Sequence, residues 1–152
     1  MHKKLIALLA TLLASFVVAG GVVSSPALAD SPHYVQGPDA TVNGNSLTVS
    51  WKAAGLGNTV TSADFSLTGT VTTTSQCFTK SGNPVNGVPK TETIDVNATG
   101  TFPVRNGQTT GSLTIAPIST LTCTGNQQVR ILSASFDLTL TGDDLPSVQI
   151  TG

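Results

Sequence analysis

The stretch Asn43-Gly44-Asn45-Ser46-Leu47-Thr48-Val49-Ser50-Trp51 decides the fold class. Asn-Gly is a tight-turn dipeptide, because both residues accept positive φ at little cost. Directly after it, Leu47, Val49 and Trp51 alternate with Ser46, Thr48 and Ser50. A period of two belongs to a pleated strand with one apolar and one polar face. Similar alternation recurs at Phe65, Leu67 and Val71 against Asp64, Ser66 and Thr68, and at Glu92, Ile94 and Val96 against Thr91, Thr93 and Asp95. The longest strand candidate runs from Val129 to Thr141, with Phe136, Leu138 and Leu140 on one face.

Turn signals separate these runs. Gly55-Leu56-Gly57-Asn58 reads as a loop, and Ser81 to Pro89 is the longest break. Thr101–Arg105 and Gly111–Ile115 flank Asn106-Gly107, the sequence pattern of a hairpin. Pro117 ends the second of these, and Val148–Ile150 forms a short closing strand after Gly142-Asp143-Asp144. No window longer than ten residues after the N-terminal region has the three-and-four spacing of a helix. Seven or eight short antiparallel strands, each with one polar face, predict two sheets packed face to face. The expected fold is an all-β sandwich of immunoglobulin-like architecture. The order Trp51, Cys77, Cys123 departs from the Cys-Trp-Cys order of true immunoglobulin domains, so only the architecture is expected to carry over.

The N-terminus reads differently. His2, Lys3 and Lys4 precede an apolar run from Leu5 to about Val23, and Ala27-Leu28-Ala29 precedes Asp30. That order predicts a secretory signal peptide over residues 1–29 with an A-x-A cleavage site. The run is also long enough for an uncleaved anchor, but Gly20 and Gly21 interrupt it and small residues stand at the cleavage positions. Cleavage leaves 123 of the 152 residues, enough for one domain with a core. It also removes two of the seven basic residues, so five face eight acidic ones and the exported chain carries a formal charge of −3. Five scattered cations give no electrostatic footprint for nucleic acid or for an anionic membrane. Residues 30–39, with Pro32, His33, Gly37 and Pro38, read as an extended leader into a β-sandwich domain spanning 40–152.

Cys77 and Cys123 are the only cysteines, and an exported pair most simply forms one disulfide. They lack C-x-x-C spacing and a nearby histidine, which argues against redox or zinc chemistry and leaves no cofactor or metal expected. A serine triad has only His33 to draw on after cleavage. Asp64, Glu92, Asp95 and Asp137 could supply paired carboxylates, but the sequence lacks the aromatics that line a sugar cleft. Asp143-Asp144 reads as turn chemistry rather than as a calcium site, and Trp51, by its parity, as core. No enzymatic activity is therefore expected.

One internal echo stands out. Ser62-Ala63-Asp64-Phe65-Ser66-Leu67-Thr68 matches Ser133-Ala134-Ser135-Phe136-Asp137-Leu138-Thr139 at five positions. Upstream, each Asn-Gly turn leads into a matching strand, Ser46-Leu47-Thr48-Val49 and Ser112-Leu113-Thr114-Ile115. A duplicated half-sandwich would produce this pattern, and chance is its rival in a chain so rich in Ser and Thr.

The segment that invites a binding role is Lys80 to Lys90, rich in Gly, Asn and Pro and tethered near Cys77. Lys80, Asn83, Val85, Asn86, Val88 and Lys90 are the candidate contact residues, against the simpler reading of a crossover between sheets. The run Cys77-Phe78-Thr79-Lys80-Ser81-Gly82-Asn83-Pro84, the piece Gly100 to Gly111 and Leu121-Thr122-Cys123 together resemble a group of small secreted β-proteins of actinobacteria. That resemblance covers roughly residues 45–142 and implies export and β-structure, with no assigned activity. The expectation is a secreted, non-enzymatic module that binds a protein or cell-wall partner or builds surface structure at the envelope. The alternative is a secreted inhibitor or ligand-binding protein using the loop Lys80–Lys90.

Overall fold

A computed structural model describes residues 31–152, so the expected signal peptide lies outside the described residues. Seven strands form: β1 His33–Asn43, β2 Ser46–Ala54, β3 Ser62–Phe78, β4 Lys90–Pro103, β5 Thr109–Ile115, β6 Gln128–Gly142 and β7 Val148–Thr151. All pairings are antiparallel. They make a three-stranded sheet in the order β1-β2-β5 and a four-stranded sheet in the order β4-β3-β6-β7. The architecture is an all-β, two-sheet sandwich with the Cys77–Cys123 disulfide formed.

The alternation places the core where a period of two requires it. Leu47, Val49, Trp51 and Ala53 face inward from β2, and Ala63, Phe65, Leu67 and Val71 from β3. Leu138, Leu140 and Ile150 complete the interior from β6 and β7. Trp51 is 3% exposed and packs on Phe65 at a centroid distance of 4.6 Å. Phe102 meets both edge-on, at 5.1 Å and 5.7 Å. Edge-to-face contacts of this kind add to the burial of the rings. On the outer faces, threonine hydroxyls pair across strands: Thr48 with Thr114 at 2.9 Å, Thr72 with Thr93 at 2.7 Å and Thr74 with Thr91 at 2.9 Å.

Two sequence expectations need correction. Residues 33–39 of the expected leader belong instead to strand β1, paired with β2 from His33↔Ala54 to Asn43↔Ser46. The pairing slips around Gly37-Pro38, and that irregularity hid the strand's period in the sequence. Tyr34, within β1, packs against the core, and burial raises its phenol above the usual pKa. The second correction concerns the Asn106-Gly107 hairpin. The turn forms, with positive φ at both residues and reciprocal Arg105–Gln108 backbone bonds of 2.8 and 3.0 Å. Its flanking strands then part, β4 joining β3 and β5 joining β2. The turn therefore carries the chain from one sheet to the other.

The internal echo has a structural counterpart. Echoed strands pair with each other, and the matched residues Thr68 and Thr139 face one another, as do Thr48 and Thr114. The ladders extend the match to the sheet's outer strands. Ser66 pairs with Thr99, and its echo Asp137 pairs with Thr151, so Val96-Asn97-Ala98-Thr99-Gly100 corresponds to Val148-Gln149-Ile150-Thr151-Gly152. An approximate two-fold therefore relates β2, β3 and β4 to β5, β6 and β7. Among the described residues, strand β1 has no counterpart.

Candidate functional site

One end of the sandwich is closed by residues 116–127 rather than by apolar strand residues. β3 keeps its inward parity there but presents Thr73 and Ser75, both fully buried. Thr73 Oγ1 donates to the Ile118 carbonyl (3.2 Å), and the Ser75 and Ser119 hydroxyls bond at 2.9 Å. Asn45 Oδ1 accepts the N–H groups of Ile118 (3.1 Å) and Ser119 (2.8 Å). The Thr73, Ser75 and Ser119 hydroxyls thus each have a partner, which lets a polar segment seal this end of the core.

Glu92 completes the clasp. Its parity with Ile94 and Val96 turns it toward this segment. Oε1 accepts from Ser119 Oγ (2.7 Å) and the Thr120 N–H (2.7 Å), and Oε2 accepts from the Thr120 hydroxyl. Lys90 Nζ lies 2.9 Å from Oε2 and donates to Thr120 Oγ1 at 2.8 Å. The Thr120 hydroxyl, then Lys90 and Ser119, lower the carboxyl from 4.5 to about 2. A depressed folded-state pKa stabilises fully above the unfolded value and is lost as the folded group protonates. The clasp should therefore hold above about pH 4.5 and fail as the pH falls toward 2. Thermal unfolding across that window should show a steeper acid loss for the native chain than for Glu92→Gln. Equal slopes would remove Glu92 from this role.

The disulfide joins this closed end to the β3–β4 loop, with the Cys77 and Cys123 Cα atoms 5.7 Å apart. The loop is braced along its length. Thr79 N–H donates to the Asn83 carbonyl (2.9 Å), Thr79 Oγ1 accepts the Asn83 N–H (3.1 Å), and Val85 N–H donates to the Cys77 carbonyl (2.9 Å). Gln76 Nε2 reaches the carbonyls of Val85 (3.3 Å) and Gly87 (3.2 Å). Between loop and disulfide lies a cleft of about 230 Å³, lined by Val85, Asn86, Gly87 and Val88 on one side and Leu121 to Thr124 on the other.

The six candidate residues divide by position. Val85, Asn86 and Val88 line the cleft. Val88 is 93% exposed, while Val35 and Leu132, the next most exposed large apolar residues described, reach 48%. Lys80 is exposed on the loop beyond the cleft, Asn83 serves its turn, and Lys90 is drawn into the Glu92 clasp. Sequence reasoning missed Gln76, Leu121, Thr122, Thr124 and Gln127, which also line the cleft. The Cys77–Cys123 pairing was the available signal, since it brings residues beside Cys123 against the loop. The Arg130 guanidinium, 4.9 Å from the Phe78 ring centroid, adds a cation to this end.

The carboxylates considered for catalysis are placed otherwise. Asp95 and Asp137 flank Thr70 in one row across the open outer face of the large sheet, and Asp137 accepts from Gln149 Nε2 at 2.8 Å. Asp64 Oδ1 accepts from Thr101 Oγ1 (2.5 Å), while the Asp64 N–H donates to Asp143 Oδ2 (2.8 Å). The first bond links β4 to β3, and the second staples the β6–β7 turn to β3, beside a larger open cleft of about 430 Å³. Among the described residues, no three His, Cys, Asp or Glu side chains gather as metal ligands. Comparison with known proteins finds no matching family model, no matching curated protein and no matching solved structure.

Proposed function

We propose that this protein is a secreted, non-enzymatic binding module that grips a protein or wall polymer at the cell envelope with the loop Lys80–Lys90. The observation that carries this reading is Val88, held almost wholly in solvent on a loop braced by the disulfide and five hydrogen bonds. An apolar side chain displayed on a rigid support loses little conformational freedom on binding, so more of its burial energy appears as affinity. Lys80 on the loop and Arg130 beside Phe78 suit a partner with acidic groups around an apolar socket.

Burying a valine side chain is worth about 1.5–3 kcal/mol, so Val88→Ser should weaken the complex roughly tenfold or more. Stability should be unchanged, because Val88 touches water rather than core. The measurement is cross-linking of the intact producing culture, followed by mass spectrometry of washed walls and supernatant. Recovery of the Asp30-started chain on one reproducible partner, lost with Val88→Ser, supports the reading. Recovery only as a free, unlinked monomer overturns it. The inhibitor or small-ligand alternative uses the same braced loop and would then be tested against protease and ligand panels.

A further inference from the structure

β-Sheet edges invite pairing with other chains unless they are interrupted, charged or very short. Among the described residues, four of the five exposed edge stretches carry such protection. β1 is broken around Pro38, β4 bears Lys90, Glu92 and Asp95, and β7 has four residues. The stretch of β6 beyond β7 is kinked where Leu132 interrupts its pairing with β3, and it carries Arg130. β5 has none of these defences. Its seven residues, Thr-Thr-Gly-Ser-Leu-Thr-Ile, contain no charge and no proline, and its pairing with β2 is unbroken.

The internal two-fold points to the same edge. In the first half, β1 fills the place beside β2. Among the described residues the equivalent place beside β5 is left open, and the Arg105–Gln108 turn lies just before the strand begins. The small sheet has three strands against four in its partner, with the vacancy on the unprotected side.

We propose that this vacancy is filled by β5 of a second copy, running antiparallel about a two-fold at Ser112. Self-pairing is favoured because the strand is complementary to itself. With Ser112 facing Ser112 of the second copy, Thr110 faces Thr114 and Gly111 faces Leu113. The outward row becomes hydroxyl against hydroxyl, the pairing this chain already uses between Thr48 and Thr114, Thr72 and Thr93, and Thr74 and Thr91. Thr114 can keep its bond to Thr48 while taking another, since a hydroxyl offers one donor and two acceptor positions. No charge opposes its like across the axis. The resulting interface is isologous and closes as a dimer with a continuous six-stranded sheet.

The test is sedimentation velocity of the secreted chain over a concentration series, without any envelope partner, so its result is independent of the loop's role. The native chain should dimerise. Ser112→Lys and Ser112→Glu should each weaken the dimer at least about tenfold, because like charges then face each other. An equimolar mixture of the two variants should restore it, which a folding defect could not do. Ser112→Cys should oxidise to a covalent dimer, and Ser50→Cys, exposed on neighbouring β2, should not. A native chain that stays monomeric, or a dimer unmoved by both charged variants, overturns the proposal. So does a monomer that accepts an unrelated extended peptide at β5, since the occupant would then not be a second copy.

Discussion

Replacing Cys77 and Cys123 with serine is expected to lower the unfolding free energy by about 4 kcal/mol, the chain-entropy value for a closed loop of that length. The bond spans a sequence separation of 46, so it restricts a large part of the unfolded chain. It also ties β3, where Cys77 pairs with Val129, to a segment that the sheets hold only indirectly. Cys77 lies near the end of β3, and Cys123 follows a segment held by Asn45, Ser75 and Glu92. Whole-domain stability is of the order of 5–15 kcal/mol, so the loss should be visible as a large drop in the urea midpoint. Amide exchange should quicken in residues 121–127 and in the Lys80–Lys90 loop, with the strand core less affected. A change below about 1 kcal/mol would mean that the hydrogen-bonded clasp alone holds this end.

Gly69→Ala should cost a comparable amount, about 4 kcal/mol, by combining backbone strain with overpacking. Gly69 stands mid-way along β3 with φ +147°, a conformation L residues rarely adopt. An added Cβ would lie 2.1 Å from the Asp137 carbonyl oxygen and 2.8 Å from Leu138 Cα. Both atoms belong to the backbone of β6, the strand that pairs with β3 on this side, so no side chain can swing away to make room. Relief would require parting the two central strands, which carry Leu67, Val71, Leu138 and Leu140 into the core. Thr68→Ala, at the exposed neighbouring position, is the control and should change stability by less than about 1 kcal/mol. An equally mild effect at Gly69 would mean that β6 can move without loss, contrary to its packing.

Both predictions act on features of unequal visibility in the chain. The cysteine pair follows from composition together with the expected signal peptide, because two thiols in an oxidising compartment would have one simple fate. The need for glycine at position 69 does not follow from its neighbours Thr68 and Thr70, since it arises from how closely β6 approaches. Glu92 behaves similarly. Its inward parity is legible beside Ile94 and Val96, but the Thr120, Ser119 and Lys90 groups that hold it come together only when the 116–127 segment closes the sandwich.

The residue pattern specifies the class of each element and the face it buries. Alternation is a local property, so Leu47, Val49 and Trp51, or Phe65 and Leu67, declare their side of a sheet without reference to any partner. The candidate loop was legible for the same reason, as a run of turn residues that no strand could absorb. Tertiary structure alone decided which strands meet. A turn dipeptide specifies a reversal but not the sheet that receives the next strand, so Asn106-Gly107 forms its turn and still sends β4 and β5 apart. Irregular pairing hid β1, because a strand whose register slips at Gly37-Pro38 has lost the period by which strands are recognised. The open edge of β5 is likewise a property of the assembled sheet, since an edge exists only once every other strand has taken its place.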